Sequence, residues 1–128
     1  MSEDQEVKSF RDLIVWQRSI QMCVVIYRFT RIFPADEMYG LRSQLRRASV
    51  SVASNIAEGY GRKSRGEYLQ FLGMSRGSNY EVQTQLVIAR ELEFGLEIER
   101  ANCVRLSIEI DKLLNSFIKS LGRPKSPK

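Results

Sequence analysis

Seven basic side chains fall between positions 42 and 76, at Arg42, Arg46, Arg47, Arg62, Lys63, Arg65 and Arg76, and only Glu58 and Glu67 oppose them there. This local excess equals the formal charge of the whole chain, +5 from 20 Lys and Arg against 15 Asp and Glu. Arginine forks grip phosphate oxygens through paired donors, so a helix followed by a glycine-rich connection studded with arginine reads as a clamp on nucleic-acid backbone. Arg42, Arg46, Arg62, Lys63, Arg65 and Arg76 are the candidate phosphate contacts. The plainer alternative is a solvated face laced with salt bridges.

A second constellation, Gln44, Arg47, Ser51, Ser54 and Glu58, repeats at helical spacing and is joined at its edge by Asn55. It reads as a polar seam beside a helix core. If the helices on either side of Lys63 and Ser64 form an antiparallel hairpin, residues whose numbers add to about 127 lie level, because both helices rise equally per residue. Arg46 or Arg47 then meets Glu81, and an ion pair between them would fix the register of the helices. A carboxylate held by arginine is a poor proton carrier at neutral pH, so Arg47, Asn55, Glu58 and Glu81 are assigned a structural rather than a catalytic role.

Little else could carry chemistry. The chain has no histidine, which removes the commonest general base, the commonest metal ligand and every nucleophile-histidine pair. Glu58, Glu67 and Glu81 sit on separate turns with arginines interleaved, so neither paired-carboxylate hydrolysis nor a two-metal centre is expected. Ser51, Ser75 and Ser78 have no base to activate them, and Lys63 has no serine at a dyad spacing. Gly59-Tyr60-Gly61 lacks the preceding strand and the Gly-Lys-Ser/Thr ending of a phosphate loop and reads as a helix C-cap. Cys23 and Cys103 are too few for a thiolate metal site and read as two buried thiols. No enzyme, cofactor, metal or small-molecule substrate is expected.

These side chains need a scaffold, and the hydrophobic spacing supplies one. Length, at 128 residues, suits a single core, and 43% hydrophobic with 27% charged residues suits a globular one. Breaks at Phe33-Pro34, Gly59 to Gly66, Phe94-Gly95 and Gly122 cut the chain into four helical segments. The expected fold is all-α, an antiparallel up-down four-helix bundle over residues 10–121, between a flexible N-terminus at 1–9 and a basic flexible tail at 122–128. Asp12 and Asp36 are the candidate N-caps of the first two helices.

In the first helix Leu13, Trp16, Ile20, Cys23 and Tyr27 form the expected core stripe, and Val15, Met22, Ile26, Phe29 and Phe33 form a second stripe nearly opposite. The second helix presents Leu41, Leu45, Ala48, Val52 and Ile56, flanked by the small residues Ser49, Ser51, Ala53, Ser54 and Ala57. The third presents Phe71, Ser75, Ser78, Val82, Leu86 and Ala89, with Leu69, Gly73, Tyr80 and Val87 on its far side. The fourth presents Cys103, Leu106, Ile110, Leu113, Phe117 and Leu121, a single face. Helices that are apolar on opposite sides have one face too many for a small bundle, so Val15, Met22, Ile26, Phe29, Leu69, Tyr80 and Val87 are expected to form an interface between identical copies in a closed homo-oligomeric ring. The start carries Glu3, Asp4 and Glu6 and no apolar core, so it is not read as a secretory signal. The longest apolar run, Met22 to Tyr27, is far below the roughly 20 residues that span a bilayer, so a cytoplasmic location and no membrane association are expected.

Several stretches together resemble one family. They are Phe10-Arg11-Asp12-Leu13-Ile14-Val15-Trp16, the Phe33-Pro34 helix end, Gln44-Leu45-Arg46-Arg47-Ala48-Ser49-Val50-Ser51, Ser54-Asn55-Ile56-Ala57-Glu58-Gly59, and Phe71-Leu72 followed by Arg76-Gly77-Ser78 and Glu81. The chain resembles the 23S rRNA intervening-sequence proteins over about residues 10 to 120. These are small bundles encoded in some bacteria within insertions of ribosomal RNA genes and elsewhere as free-standing genes. Their fold is similar to the accessory variability protein of diversity-generating retroelements, a basic pentameric barrel that binds nucleic acid and a reverse transcriptase. The resemblance implies a ring, by that analogy a pentamer, and no established activity. It covers Arg47, Asn55, Glu58, Gly59, Gly77, Ser78 and Glu81, which look like determinants of fold and assembly at least as much as of binding. The chain departs from it chiefly at Met38-Tyr39-Gly40 and Arg76 to Tyr80, in minor ways. The function expected is a non-enzymatic oligomeric scaffold that binds RNA or DNA backbone through a basic surface. The alternative is a protein-interaction adaptor whose partner, such as a polymerase or reverse transcriptase, supplies the chemistry.

Overall fold

The computed structural model describes residues 6–123 and is all-α, with no strand among them. A 3-10 turn at Phe10–Asp12 leads into α1 (Ile14–Thr30), and a second at Ala35–Glu37 leads into α2 (Leu41–Tyr60). α3 (Arg65–Glu91) and α4 (Glu97–Gly122) complete the four helices. The first turn is held by a capping box, in which the Ser9 side chain accepts from the Arg11 amide and the Asp12 carboxylate accepts from the Ser9 amide. Asp12 therefore caps the turn, not α1 itself. Glu37, rather than Asp36, serves α2 by accepting from the Leu41 amide at 3.1 Å. Ser64 caps α3 through the Glu67 amide, so the α2–α3 connection falls where the sequence places it. Of the expected flexible ends, residues 1–5 and 124–128 lie outside the described residues, whereas the Lys8 amide is bonded to Asp12 and Gly122 is the last residue of α4.

Each helix packs on its neighbours in the chain, and α1 also packs on α4. Side-chain bonds cross all four of these seams. Ser49 Oγ donates to Cys23 Sγ between α2 and α1, Ser75 Oγ to the Val52 carbonyl at 2.8 Å between α3 and α2, and Arg18 Nε meets Glu109 at 2.9 Å between α1 and α4. Between α3 and α4, Asn79 Nδ2 donates to the Ser107 carbonyl and Ser107 Oγ donates back to Asn79 Oδ1. The buried Ser49, Ser75, Asn79 and Ser107 are thus paired across the seams, so they cost little and they mark one alignment of the helices.

One continuous core gathers all four helices. The α2 stripe is buried as expected, and Ser75, Val82, Leu86 and Ala89 hold the α3 face. Phe71 and Ser78 are only half-buried, and Leu72, Asn79 and Gln85 take the remaining buried places on α3. On α4, Cys103, Leu106 and Ile110 are buried with Leu114, while Leu113, Phe117 and Leu121 pack at the margin. Helix α1 is turned over relative to expectation. Val15, Met22, Ile26, Phe29 and Phe33 are core, the first four at 4%, 0%, 0% and 0% exposure, so they cannot face another copy. Ile20 and Tyr27 lie outward, with Trp16 and Cys23 half-buried. The physical reason lies in the polar residues on each side. Ser19 and Thr30 bond the carbonyls one turn back and so tolerate burial, while the indole and phenol of Trp16 and Tyr27 suit a half-wet surface.

Candidate nucleic-acid interface

The six nominated basic residues do not form one surface. Arg42 and Arg46 lie on α2 beside the end of α1. Arg42 Nη2 donates to the Phe33 carbonyl at 2.7 Å and, more weakly, to that of Pro34. Arg46 Nε donates to Thr30 Oγ1 at 2.9 Å, its Nη2 reaches the Tyr27 carbonyl at 3.2 Å, and its guanidinium stacks 4.4 Å from the centre of the Tyr27 ring. The last carbonyls of a helix lack partners within it and carry the negative end of its dipole, so Arg46 ties α2 to the last turn of α1, while Arg42 ties it to the connection that follows. Arg42 Nη2 and Arg46 Nε and Nη2 are thus engaged inside the fold, while Arg42 Nε is buried without a partner among the described residues. They border, with Tyr27, Met38, Ser43 and Arg47, a cleft of about 490 Å³.

Arg62, Lys63 and Arg65 sit about 30 Å away, by the rise of α2, and are exposed at the α2–α3 turn. The Arg62 guanidinium carbon lies over the Phe71 ring, 4.5 Å from its centre. Arg65 Nη1 approaches the Arg123 carbonyl at 3.4 Å, which brings the end of α4 alongside. Lys119 and Arg123 are exposed in that last stretch and join the basic end. Sequence reading passed over Lys119 and took Arg123 only as part of a basic tail, although pairing the start of α3 with the end of α4 would have placed both here. Beneath them Tyr60, Tyr68 and Phe117 stack edge to face. Arg76 stands apart, bonding Asn115 on α4 at 3.0 Å.

The polar seam is also revised. The Ser75–Val52 bond falls at the expected total of 127. Arg47 and Glu81 are nevertheless both exposed and form no ion pair among the described residues, because equal height does not put two side chains on one face. Arg46 is turned the other way, onto α1. Glu58 is exposed, and Asn55 bonds the Ser51 carbonyl of its own helix.

Burial pushes the Cys103 thiol up to about 12, with the Glu99 carboxylate adding to the rise, and burial pushes the Tyr68 hydroxyl up to about 12, helped by Tyr60. Both groups are raised in the folded chain above their ordinary values of 9.0 and 10.0. The unfolded chain therefore releases these protons first, so stability is fully present below about pH 9 and should fall as pH rises toward 12. Urea midpoints measured from pH 7 to 11 test this, and a flat profile would contradict it. Among the described residues no helix is long and apolar enough to cross a membrane.

The family model described as 23S rRNA-intervening sequence protein matches residues 11–116, which take in α1 to α3 and most of α4. This chain belongs to the 23S rRNA-intervening sequence protein family. A solved structure from the S23 ribosomal protein family, a protein with unknown function from Bacteroides thetaiotaomicron, is similar at 25% identity and a TM-score of 0.73. That similarity covers 82% of this chain and 98% of the other. None of the curated proteins matches. Of the positions that carry the resemblance to intervening-sequence proteins, Gly59 belongs to the fold, since a Cβ there would come within 2.8 Å of the Phe71 Cβ. Arg47, Glu58, Gly77 and Glu81 are exposed, and Asn55 and Ser78 half-buried.

Proposed function

We propose that this intervening-sequence protein is a non-enzymatic scaffold, an antiparallel up-down bundle that self-assembles into a closed ring and holds nucleic-acid backbone at its basic end. The observation that carries this reading is the trio Arg62, Lys63 and Arg65, exposed on one turn, in no ion pair among the described residues, and flanked by Lys119 and Arg123. Rotation about a ring axis along the helices would set every such turn on one rim, and the fields of several subunits would add. Phosphate contacts of this kind position a strand without reading its bases. The up-down arrangement is supported by contacts at the helix ends, Arg46 near the start of α2 bonding Thr30 at the end of α1, and Arg65 at the start of α3 approaching Arg123 just past α4. Work on RNA or DNA would take place in the cytoplasm.

Changing Arg62, Lys63 and Arg65 together to serine should weaken binding to RNA and duplex DNA alike. On duplex DNA, the slope of log affinity against log salt should flatten by up to about 0.9 for each phosphate no longer neutralised. Arg42 and Arg46 are kept, since their loss would loosen the fold and confuse the reading. Circular dichroism of the triple variant should match the parent. Undiminished binding, or discrimination between sequences, would favour the adaptor reading, which draws on the apolar surface left exposed on α1 and α3.

A further inference from the structure

We infer that copies of this chain pack head to tail, the outward stripe of α3 in one copy seated against the groove between α1 and α2 in the next. This deepens the proposed self-assembly and rests on it. The groove, about 310 Å³, is lined by Trp16, Ile20, Cys23, Val50, Ala53 and Ala57, with Ser54 as its other wall. Its lining is almost wholly apolar, and Ile20 and Val50 stand 39% and 42% exposed on its rim.

The α3 stripe is its counterpart. Tyr80 and Val87 are exposed, and between Tyr80 and Leu69 the helix carries Gly73 and Gly77. Each glycine inside a helix costs stability relative to alanine, and is usually repaid by something that must come close. Within this chain nothing does, for a Cβ at Gly73 or Gly77 would have no atom within 4 Å. A second copy is the occupant that would use the space.

Height and charge agree. The Ser49–Cys23 and Ser75–Val52 bonds place Ile20 within about one helical turn of Gly73 and Gly77, and Arg28 within about one turn of Glu81. Copies related by rotation about an axis along the helices meet at equal height. At the end beyond this contact, α1 and α2 offer exposed Arg28, Arg31 and Arg47, while α3 and the turn after it offer exposed Glu81, Glu91 and Glu93 against Arg90, and Glu97 is held by Arg100 of its own helix. Opposite charges thus flank the apolar contact from the two copies. Because the two surfaces differ, the contact is heterologous, and it gives a ring when the rotation from copy to copy closes.

The test uses the full chain at micromolar concentration with light scattering, and two variants, Ile20→Glu in the groove and Gly73→Glu on the stripe. Wild type should exceed the 14.8 kDa of one chain, and each variant alone should fall to it with helicity unchanged. Mixed in equal amounts, the variants should form particles of two chains, since one intact stripe then finds one intact groove. Should either variant lose helicity, Val50→Glu or Gly77→Glu replaces it on the same surface. A wild type of single chains would overturn the assembly reading and this pairing together. An assembled wild type with either variant still assembled, or a mixture that stays single, would overturn the pairing alone.

Discussion

Ile26→Glu should unfold the chain at room temperature instead of releasing folded single subunits. Ile26 is fully buried among Met22, Phe29 and the other core residues of α1. Removing such a side chain costs about 2–5 kcal/mol, and a carboxylate left there without a partner adds several more. Domains of this size hold only about 5–15 kcal/mol in total. Ile20→Glu, six residues earlier on the outward side, should shift stability by about 1 kcal/mol or less, since the carboxylate reaches water. Far-ultraviolet circular dichroism with thermal melting separates the two. A cooperative melt for Ile26→Glu near that of the parent would show that the α1 faces are assigned the wrong way round.

The second large effect lies in the α3–α4 connection. Gly95 has φ of 77°, and a Cβ there would overlap the Phe29 ring. Gly95→Val therefore meets two penalties, about 1–2 kcal/mol for a left-handed L-residue and about 1–3 kcal/mol for forcing a buried ring aside. A loss of about 3 kcal/mol should lower the melting temperature by roughly 10 °C or more. Two residues earlier Glu93 holds φ of 60° with a side chain in place. Glu93→Gly should therefore move the other way, by up to about 1 kcal/mol. Calorimetry on the pair checks both signs, and a Gly95→Val melt equal to the parent's would refute the packing described around Phe29.

Helix number and the α2 and α4 faces were legible because their apolar residues recur on one side only. Ser64 and Gly95 marked the breaks for local reasons, a cap and a positive φ, that do not depend on the rest of the fold. Helix α1 carries two comparable stripes, and periodicity cannot choose between them. The choice came from which side tolerates its polar neighbours, Ser19 and Thr30 or Trp16 and Tyr27. Asn79 and Ser107 escaped notice because their burial depends on each other, across 28 residues of chain. The basic stretch was legible as charge, but not as two ends and a middle. Arg42 and Arg46 look like Arg62 until the end of α1 is seen to need their donors.

The pairing of α1 with α4 bears on the order in which this protein comes into being during synthesis. The α1–α2 and α2–α3 seams join parts of the chain that leave the ribosome one after the other, so both can close while α4 is still being made. Until then Met22 and Ile26 on one side and Val82 and Leu86 on the other wait with one wall of their core missing. The last helix supplies that wall to both at once, and the nascent three-helix stage is where the chain is most open to mispairing with its own kind.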